Sequence, residues 1–191
     1  MGYAILIRHG ESTANVRNLI TDDLEGYPLT ERGVRQAQRT ASEFQGIRLD
    51  GVFTSPVQRC RETTRIISEV TGVNAAIDVR IRETEMGKLS NTLIDDLPAG
   101  TRESIGLESW NSHISRMRSA VEDVSGNVIL VSHAFPIRAV IASYLNLDEV
   151  ESQGIDIDFA TISVIDTVQQ KVISVGSRKL SNRVRRVLME R

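Results

Sequence analysis

Cysteine, proline and aromatic residues are scarce in this sequence. Its 191 residues include one cysteine, Cys60, four prolines and an aromatic content of 4%. A single cysteine cannot form an internal disulfide bond, which is typical of a protein kept in a reducing cytoplasm. No apolar run is long enough to cross a bilayer, and no basic segment followed by an apolar stretch indicates a secretory signal. We therefore expect a cytoplasmic protein that does not span a membrane.

The remaining composition is that of a globular protein. Hydrophobic residues make up 40% and charged residues 25% of the chain, which excludes a disordered or collagen-like protein. A net charge of −2 argues against nucleic acid as a partner. Only three of the 23 basic residues are lysines, so arginine, the better residue for bidentate phosphate contacts, supplies the rest. No linker or repeat divides the chain, and we predict one domain, residues 1–191.

Short apolar runs alternate with helical patterns along the chain. The apolar runs predict six strands, at residues 2–7, 51–54, 75–77, 127–132, 161–167 and 171–177. Helices are predicted at residues 30–46, 55–70, 109–124 and 136–145, with one short helix at about 91–97. Thr30 is the predicted N-cap of the first helix, while Ser55 and Pro56 are predicted to begin the second and Gly72 to end it. This alternation predicts an α/β fold with a mostly parallel sheet and an antiparallel hairpin at one edge.

Charged and imidazole side chains follow three of the predicted strands. The candidates are Arg8, His9 and Glu11 after the first strand, Arg59 after the second and His133 after the fourth. In open α/β sheets ligands bind beyond the carboxyl ends of the strands, so these side chains are expected to meet. Two guanidinium groups and two imidazoles attract a phosphate dianion, and a neutral imidazole is a nucleophile.

A carboxyl group is also needed to protonate the oxygen that leaves. Glu83 and Glu85 lie near the exit of the third predicted strand and are both candidates. The alternative is a metal site, since two histidines and a glutamate can act as ligands. Two nearby arginines would repel a divalent cation, and the HExxH spacing is absent. We therefore predict that the site holds no metal.

Six segments of the sequence carry a family resemblance when they are taken in order. They are RHGES (8–12) with Asn15, PLTERGVRQAQ (28–38), TSPVQRCRETT (54–64), IRETEMGKL (81–89), GLES (106–109) and VSHAFPIRAVI (131–141). Together they resemble the motifs of the histidine phosphatase superfamily, also called the phosphoglycerate mutase-like superfamily. Each motif alone is weak evidence, whereas their joint occurrence from residue 3 to about residue 141 is specific.

This resemblance implies a three-layer α/β/α sandwich with a small cap at about residues 84–108. It also implies phosphoryl transfer without a metal or cofactor, with His9 as the nucleophile that becomes phosphohistidine. By motif position Glu83 is the general acid, and Glu85 remains the alternative. Arg8, Arg59 and His133 are expected to line the phosphate pocket, and Asn15, Ala134 and Glu11 are expected to contact phosphate or substrate. Glu11 is open to a second interpretation, as a carboxylate that orients its loop.

The sequence departs from the family pattern in two places. Gly26 replaces an aspartate that the family carries two residues before the proline of PLT, and residues 87–91 lack the tryptophan and glutamate of a common family segment. The resemblance therefore implies no particular substrate contacts from residues 87–91. Cys60 is interpreted as a buried helix residue, and the basic segment from Arg178 onward as a solvated terminal helix.

Three activities are compatible with these residues. The first is hydrolysis of small phosphorylated metabolites, which we prefer because the segment at residues 88–107 is short and an open, wet site favours water as acceptor. The second is a phosphoglycerate mutase-type transfer, since it uses the same phosphohistidine; mutases of this family are, however, expected to carry a longer insertion with additional basic residues. The third, a phospho-ligand binder without activity, is disfavoured because the nucleophile, the acid and both arginines are present. The sequence does not predict an oligomeric state.

Overall fold

The computed structural model describes residues 2–190. Its strands are β1 (Gly2–Arg8), β2 (Leu19–Ile20), β3 (Gly51–Thr54), β4 (Ala75–Ile77), β5 (Thr92–Leu93), β6 (Gly126–Ser132), β7 (Ile162–Asp166) and β8 (Lys171–Ser177). Its α-helices are α1 (Thr13–Val16), α2 (Glu31–Ser42), α3 (Gln58–Thr71), α4 (Trp110–Glu122), α5 (Ala134–Leu145) and α6 (Asn182–Met189).

Six strands form one mixed sheet in the order β4-β3-β6-β1-β7-β8. The first four of these are parallel, whereas β7 runs antiparallel to β1 and pairs with β8 as an antiparallel edge hairpin. All six predicted strands are therefore confirmed, as is the mostly parallel sheet. β2 and β5 form a separate antiparallel pair, which the sequence analysis missed because two-residue strands carry no readable periodicity.

Apolar residues cover both faces of the large sheet. Ile5, Ile7 and Ile129 belong to a cluster with side chains of α2, α3 and α6, whereas Leu6 and Leu130 belong to a second cluster with side chains of α4 and α5. Successive side chains of a strand point to opposite faces, so a strand that is buried on both faces is apolar throughout. The α/β/α sandwich that the resemblance implied is confirmed.

Several local predictions require correction. α3 begins at Gln58, with Val57 rather than Ser55 as its N-cap, and the Ser55 hydroxyl is shared between His133 at 2.8 Å and the backbone N–H of Val57 at 3.4 Å. α5 begins at Ala134 rather than at residue 136. The segment predicted as a short helix at 91–97 contains β5 and then a single 3₁₀ turn, Ile94–Asp96. The N-cap Thr30 and the left-handed Gly72 at the end of α3 are confirmed.

The terminal helix α6 was predicted to be solvated, but one of its faces is buried. Val184 and Leu188 on one face are buried against the sheet, and Asn127 donates a hydrogen bond to the carbonyl of Leu188 at 2.8 Å. The arginines of α6 lie on its other side and keep contact with water. Among the described residues, no helix is both long and apolar enough to cross a membrane.

Candidate active site

The candidate site lies at the carboxyl ends of three neighbouring strands. His9 follows β1, His133 follows β6, and Arg59 lies in the first turn of α3, which follows β3. Because β3, β6 and β1 are adjacent and parallel, their ends bring these three side chains together. The rings of His9 and His133 are 5.2 Å apart in an edge-to-face arrangement.

His9 is almost fully buried, and its hydrogen bonds determine which ring nitrogen carries the proton. Nδ1 lies 2.6 Å from the carbonyl oxygen of Gly10, which can only accept, so Nδ1 is the protonated nitrogen. Nε2 accepts a hydrogen bond from Nε of Arg59 at 3.2 Å. Burial together with Arg59, His133 and Arg8 holds the pKa of His9 well below its usual value. The ring is therefore neutral, with a lone pair on Nε2.

The two arginines present donors that residues 2–190 do not satisfy. Arg59 donates from Nη2 to the carbonyl of Thr21 at 3.0 Å, but its buried Nη1 has no partner within residues 2–190. Arg8 donates from Nη1 to the carbonyl of Ile157 and lies 3.9 Å from the ring centre of Phe159, while its buried Nε has no partner in the same part of the chain. Burial lowers the pKa of Arg8 to about 10, so it remains charged at neutral pH. Buried donors of this kind are normally satisfied, which indicates a site for an anion.

His133 lies between Ser55 and Glu83. Its Nε2 is 2.8 Å from the Ser55 hydroxyl, and its Nδ1 is 3.2 Å from Oε2 of Glu83 and 3.2 Å from Nη2 of Arg59. Burial, which outweighs the opposing charge of Glu83, lowers the pKa of His133 to about 4. His133 is thus a neutral side chain near neutral pH. Sequence reasoning missed the role of Ser55 because it assigned that hydroxyl to a helix N-cap.

Glu83 is the carboxylate that reaches the two histidines. Its Oε2 lies 3.4 Å from Nη2 of Arg59, and its Oε1 accepts from the backbone N–H of Thr84 at 2.8 Å. Burial alone would raise the pKa of Glu83, but His133, Arg59 and this N–H hold it well below the usual range. The alternative acid, Glu85, instead pairs with Arg82 at the surface. The geometry therefore favours Glu83 over Glu85.

The other predicted contact residues divide into two groups. Asn15 and Ala134 line the cleft above the histidines. The Asn15 side-chain oxygen accepts from the backbone and hydroxyl of Ser12, which leaves its NH₂ group as the polar atom available to the cleft. Glu11 is not among the described residues that line the cleft, and its contact with phosphate stays a prediction. Its carboxylate accepts from the Thr30 hydroxyl at 2.8 Å and pairs with Arg32, contacts that favour the second interpretation of a carboxylate that orients its loop.

Two glycines allow the loop that carries His9 to approach α2. A Cβ atom on Gly33 would lie 2.0 Å from the carbonyl oxygen of Glu11, and one on Gly10 would lie 2.4 Å from the carbonyl oxygen of Gly33. The backbone N–H of Glu11 donates to the Gln36 side chain at 2.9 Å. The segment at residues 28–38 therefore supports the nucleophile through backbone contact rather than through its own chemistry.

Comparison with known proteins agrees with this geometry. Residues 4–177 match the family model of the histidine phosphatase superfamily (branch 1). The chain belongs to this superfamily. It is 34% identical to the 2,3-bisphosphoglycerate-dependent phosphoglycerate mutase of Thermoplasma acidophilum, over 98% of both chains. It is 29% identical to a probable phosphoglycerate mutase of Photorhabdus laumondii, over 84% of this chain and 83% of that one.

Solved structures with the same fold include phosphatases. One is a putative α-ribazole-5′-phosphate phosphatase from Escherichia coli, with a TM-score of 0.79 and 23% identity, over 94% of this chain and 98% of that one. Another is a phosphoserine phosphatase from Entamoeba histolytica, with a TM-score of 0.77 and 18% identity, over 96% and 100%. This member of the histidine phosphatase superfamily is therefore an enzyme, with mutases among its sequence relatives and phosphatases among the solved structures that share its fold.

The Thermoplasma relative corrects one step of the sequence argument. Its alignment with this chain has 197 positions and covers 98% of both proteins. A protein of that extent has no room for a long additional insertion, yet it carries the name of a mutase. The length of the segment at residues 88–107 therefore does not separate hydrolysis from transfer, and the lining of the cleft has to be considered instead.

A buried ion pair supports the segment that carries Glu83. Arg116 of α4 donates from Nε and Nη2 to the carboxylate of Glu108 at 2.7 and 2.8 Å. Its remaining hydrogen bonds go to the backbone carbonyls of Arg80, Arg82 and Glu83, at 2.8, 2.8 and 3.2 Å. One planar guanidinium therefore holds the backbone on both sides of Glu83. The sequence offered no signal for this pair beyond the match of Glu108 to the GLES motif.

The cleft above the histidines has a volume of about 330 Å³. Six of its lining side chains, which we call the apolar wall, are Leu19, Ile20, Met86, Ile94, Leu97 and Phe135. Beyond Arg8 and Arg59, Arg102 is the one cationic side chain among the described residues that lines it. Arg102 lies 3.6 Å above the ring centre of Phe135 and donates from Nε to Glu149 at 2.9 Å. The cleft thus combines a cationic floor with an apolar wall.

Proposed function

We propose that this enzyme is a metal-independent phosphomonoesterase that hydrolyses small phosphorylated metabolites through a phosphohistidine at His9. The observation that carries the proposal is the position of the Nε2 lone pair of His9, beside buried donors of Arg59 and Arg8 that lack partners within residues 2–190. A phosphate bound to those donors has its phosphorus within reach of Nε2. Phosphoryl transfer depends chiefly on such positioning and on charge stabilisation.

In the first step, Nε2 of His9 forms a bond to phosphorus while the bond from phosphorus to the ester oxygen breaks. Glu83 gives its proton to that oxygen, and the product alcohol leaves. Glu83 is ionised in the free site, but the negative charge of a bound phosphate raises its pKa, so it accepts the proton that a monoanionic ester brings. Nδ1–H of His9 remains bound to the Gly10 carbonyl, which stabilises the charge of the phosphorylated ring.

In the second step, water attacks phosphorus and the bond to Nε2 breaks. The carboxylate of Glu83 takes a proton from the water and passes it to the phosphate, which leaves as the monoanion after Arg8 and Arg59 have balanced its charge in the site. The neutral ring of His9 is then restored with its lone pair on Nε2. Each residue returns to its starting state without a metal or a cofactor in either step.

The test is turnover of a panel of phosphomonoesters in the presence of EDTA, combined with intact-mass analysis of the acid-sensitive phosphoenzyme after rapid quenching. We expect a species heavier by one phosphoryl group in the wild type and in Glu83→Gln, where slow leaving-group departure still permits transfer from activated esters. We expect none in His9→Ala. Arg59→Ala should lose most of its activity because the phosphate loses a buried donor. Arg65→Ala, on the exposed side of α3, is its matched control and should retain activity. Activity that disappears with EDTA, or that persists in His9→Ala, would contradict the proposal.

A mutase-type transfer is the second candidate, favoured by the identity to the Thermoplasma mutase. Such a transfer requires the phosphohistidine to outlast an exchange of glycerates and to return its phosphoryl group to a carboxylate-bearing substrate. The apolar wall, which offers no partner to the hydroxyl group of a glycerate, supports hydrolysis of other esters instead. Phosphorus NMR of the enzyme with 3-phosphoglycerate and 2,3-bisphosphoglycerate distinguishes the two, since a phosphatase releases inorganic phosphate and a mutase accumulates the isomer.

A further inference from the structure

The lining of the cleft points to a particular kind of leaving group, and this inference builds on the proposed function. Two threonine hydroxyls line the cleft beside the apolar wall, but both are engaged within the protein. The Thr21 hydroxyl donates to Asn91 at 2.8 Å and accepts from the backbone of Asp23, and the Thr84 hydroxyl lies 3.0 Å from Nε2 of His113. Each of the two threonine hydroxyls thus already has a partner within the protein, which disfavours a role in binding the hydroxyl groups of a sugar or glycerol phosphate.

The apolar wall itself contains side chains that the core does not require. Ile94 is 47% exposed although it is a large aliphatic residue, and it lies in the single turn that follows β5. Together with Leu19 and Ile20 of β2, it forms one side of the cleft, with Phe135 of α5 also in the lining. Contact with an apolar group would remove this surface from water, which favours binding of such a group.

Arg102 supplies the one directional contact in this part of the cleft. Its Nε is bound by Glu149 and its guanidinium covers the ring of Phe135, which holds the side chain in place. Its Nη atoms make no hydrogen bond within residues 2–190, and the side chain is 13% exposed. A held guanidinium with free Nη donors is suited to a carboxylate.

We propose that the substrate is a phosphate monoester whose leaving group is apolar and ends in a carboxylate that Arg102 binds. The phosphate occupies the cationic floor at His9, Arg8 and Arg59, and the apolar body of the leaving group lies along the apolar wall. Arg102 and the wall are thus the specificity-determining residues of this enzyme. Polyhydroxylated phosphate esters of similar size are poor ligands, because the apolar wall offers no hydrogen-bond partners to hydroxyl groups that lose water there.

The test compares the affinities of phosphonates, which mimic the ester and cannot be hydrolysed. Isothermal titration calorimetry measures the affinity of the wild type for methylphosphonate, 2,3-dihydroxypropylphosphonate, benzylphosphonate and 4-carboxybenzylphosphonate. Burial of a phenyl-sized group is expected to improve affinity roughly ten- to hundredfold over methylphosphonate. The carboxylate is expected to add about another tenfold, from a charge-assisted contact with Arg102. The dihydroxypropyl compound should bind no better than methylphosphonate.

Variants of single side chains locate these gains. Arg102→Gln should abolish the advantage of 4-carboxybenzylphosphonate over benzylphosphonate and leave methylphosphonate unchanged. Ile94→Asn should reduce the advantage of the benzyl group. Leu93→Asn is the matched control, because Leu93 is similarly exposed at 44% and does not line the cleft. Equal affinities for the methyl and benzyl compounds, tighter binding of the dihydroxypropyl compound, or a carboxylate advantage that survives Arg102→Gln would overturn the inference.

The two proposals fail in different measurements. If the phosphonates bind in the expected order but no phosphoenzyme forms on His9, the cleft assignment stands and the phosphohistidine route is refuted. If a phosphoenzyme forms but the phosphonates show no preference for the benzyl group, the route stands and the assignment of the leaving group is refuted.

Discussion

Replacement of Arg116 by lysine tests whether the backbone around Glu83 must be held for the reaction to proceed. The guanidinium makes two hydrogen bonds to Glu108 and three to backbone carbonyls of the segment that carries Glu83. Lysine keeps the charge, but a single ammonium group cannot reach both sets of acceptors. Removal of one partner of a buried ion pair costs about 3–5 kcal/mol, and the retained charge places Arg116→Lys at about 3 kcal/mol. For a protein of this size that loss lowers Tm by about 6–12 °C.

The kinetic effect should depend on the leaving group. A displaced Glu83 protonates the departing oxygen less efficiently, and general acid catalysis contributes about 10²–10⁴ to rate. Benzyl phosphate, with a poor leaving group, should therefore lose at least about tenfold in kcat, whereas 4-nitrophenyl phosphate, which departs without protonation, should lose little. Scanning calorimetry measures the loss of Tm. The values of kcat for the two esters, at a temperature where the variant is folded, measure the dependence on the leaving group.

Arg118→Lys is the control for this prediction. Arg118 lies on the same helix, pairs with Glu122 and covers the ring of Tyr144, away from Glu83. It should leave both the stability and the ratio of the two kcat values nearly unchanged. An equal loss of kcat for both esters in Arg116→Lys would mean that the ion pair contributes only stability. An unchanged Tm would refute the energetic reasoning as well.

Three further predictions concern pH, the nucleophile loop and the single cysteine. Burial would raise the pKa of Glu108, but Arg116 and His113 lower it from 4.5 to about 2. Glu108 therefore adds about 3 kcal/mol to the free energy of unfolding above pH 4.5, and this contribution disappears as the pH falls towards 2. Urea unfolding at several pH values should show this loss in the wild type and not in Glu108→Gln. Gly33→Ala should reduce kcat strongly, because its Cβ atom would overlap the carbonyl oxygen of Glu11 in the loop that carries His9. Gly154→Ala, whose Cβ atom would meet nothing within 4 Å, is the control and should keep full activity. Equal activities of the two variants would refute the close approach of the loop to α2. Burial raises the pKa of Cys60 to about 12, so iodoacetamide should label it only after unfolding, and rapid labelling of the native enzyme would contradict its placement.

The local elements of the fold were largely predictable because their signals lie within a few residues of one another. β1 and β6 are apolar throughout, as strands covered on both faces must be, and Thr30 satisfies the first turn of α2 through the backbone N–H of Gly33. The start of α3 was mispredicted for the opposite reason. Ser55 and Pro56 have the local pattern of a helix start, but the Ser55 hydroxyl binds His133, which lies 78 positions away in the chain.

The chemical groups of the candidate site could be read from the sequence, because histidines and arginines followed strands whose carboxyl ends share one edge of a parallel sheet. What those groups do depends on contacts between distant segments. The Gly10 carbonyl and Arg59 determine which nitrogen of His9 holds the lone pair, and contact with His133 distinguishes Glu83 from Glu85. The apolar wall is likewise assembled from β2, the segment after β5 and α5. Sequence patterns specify residue types and local conformation, whereas protonation, unpartnered donors and cleft lining arise only when separate segments pack together.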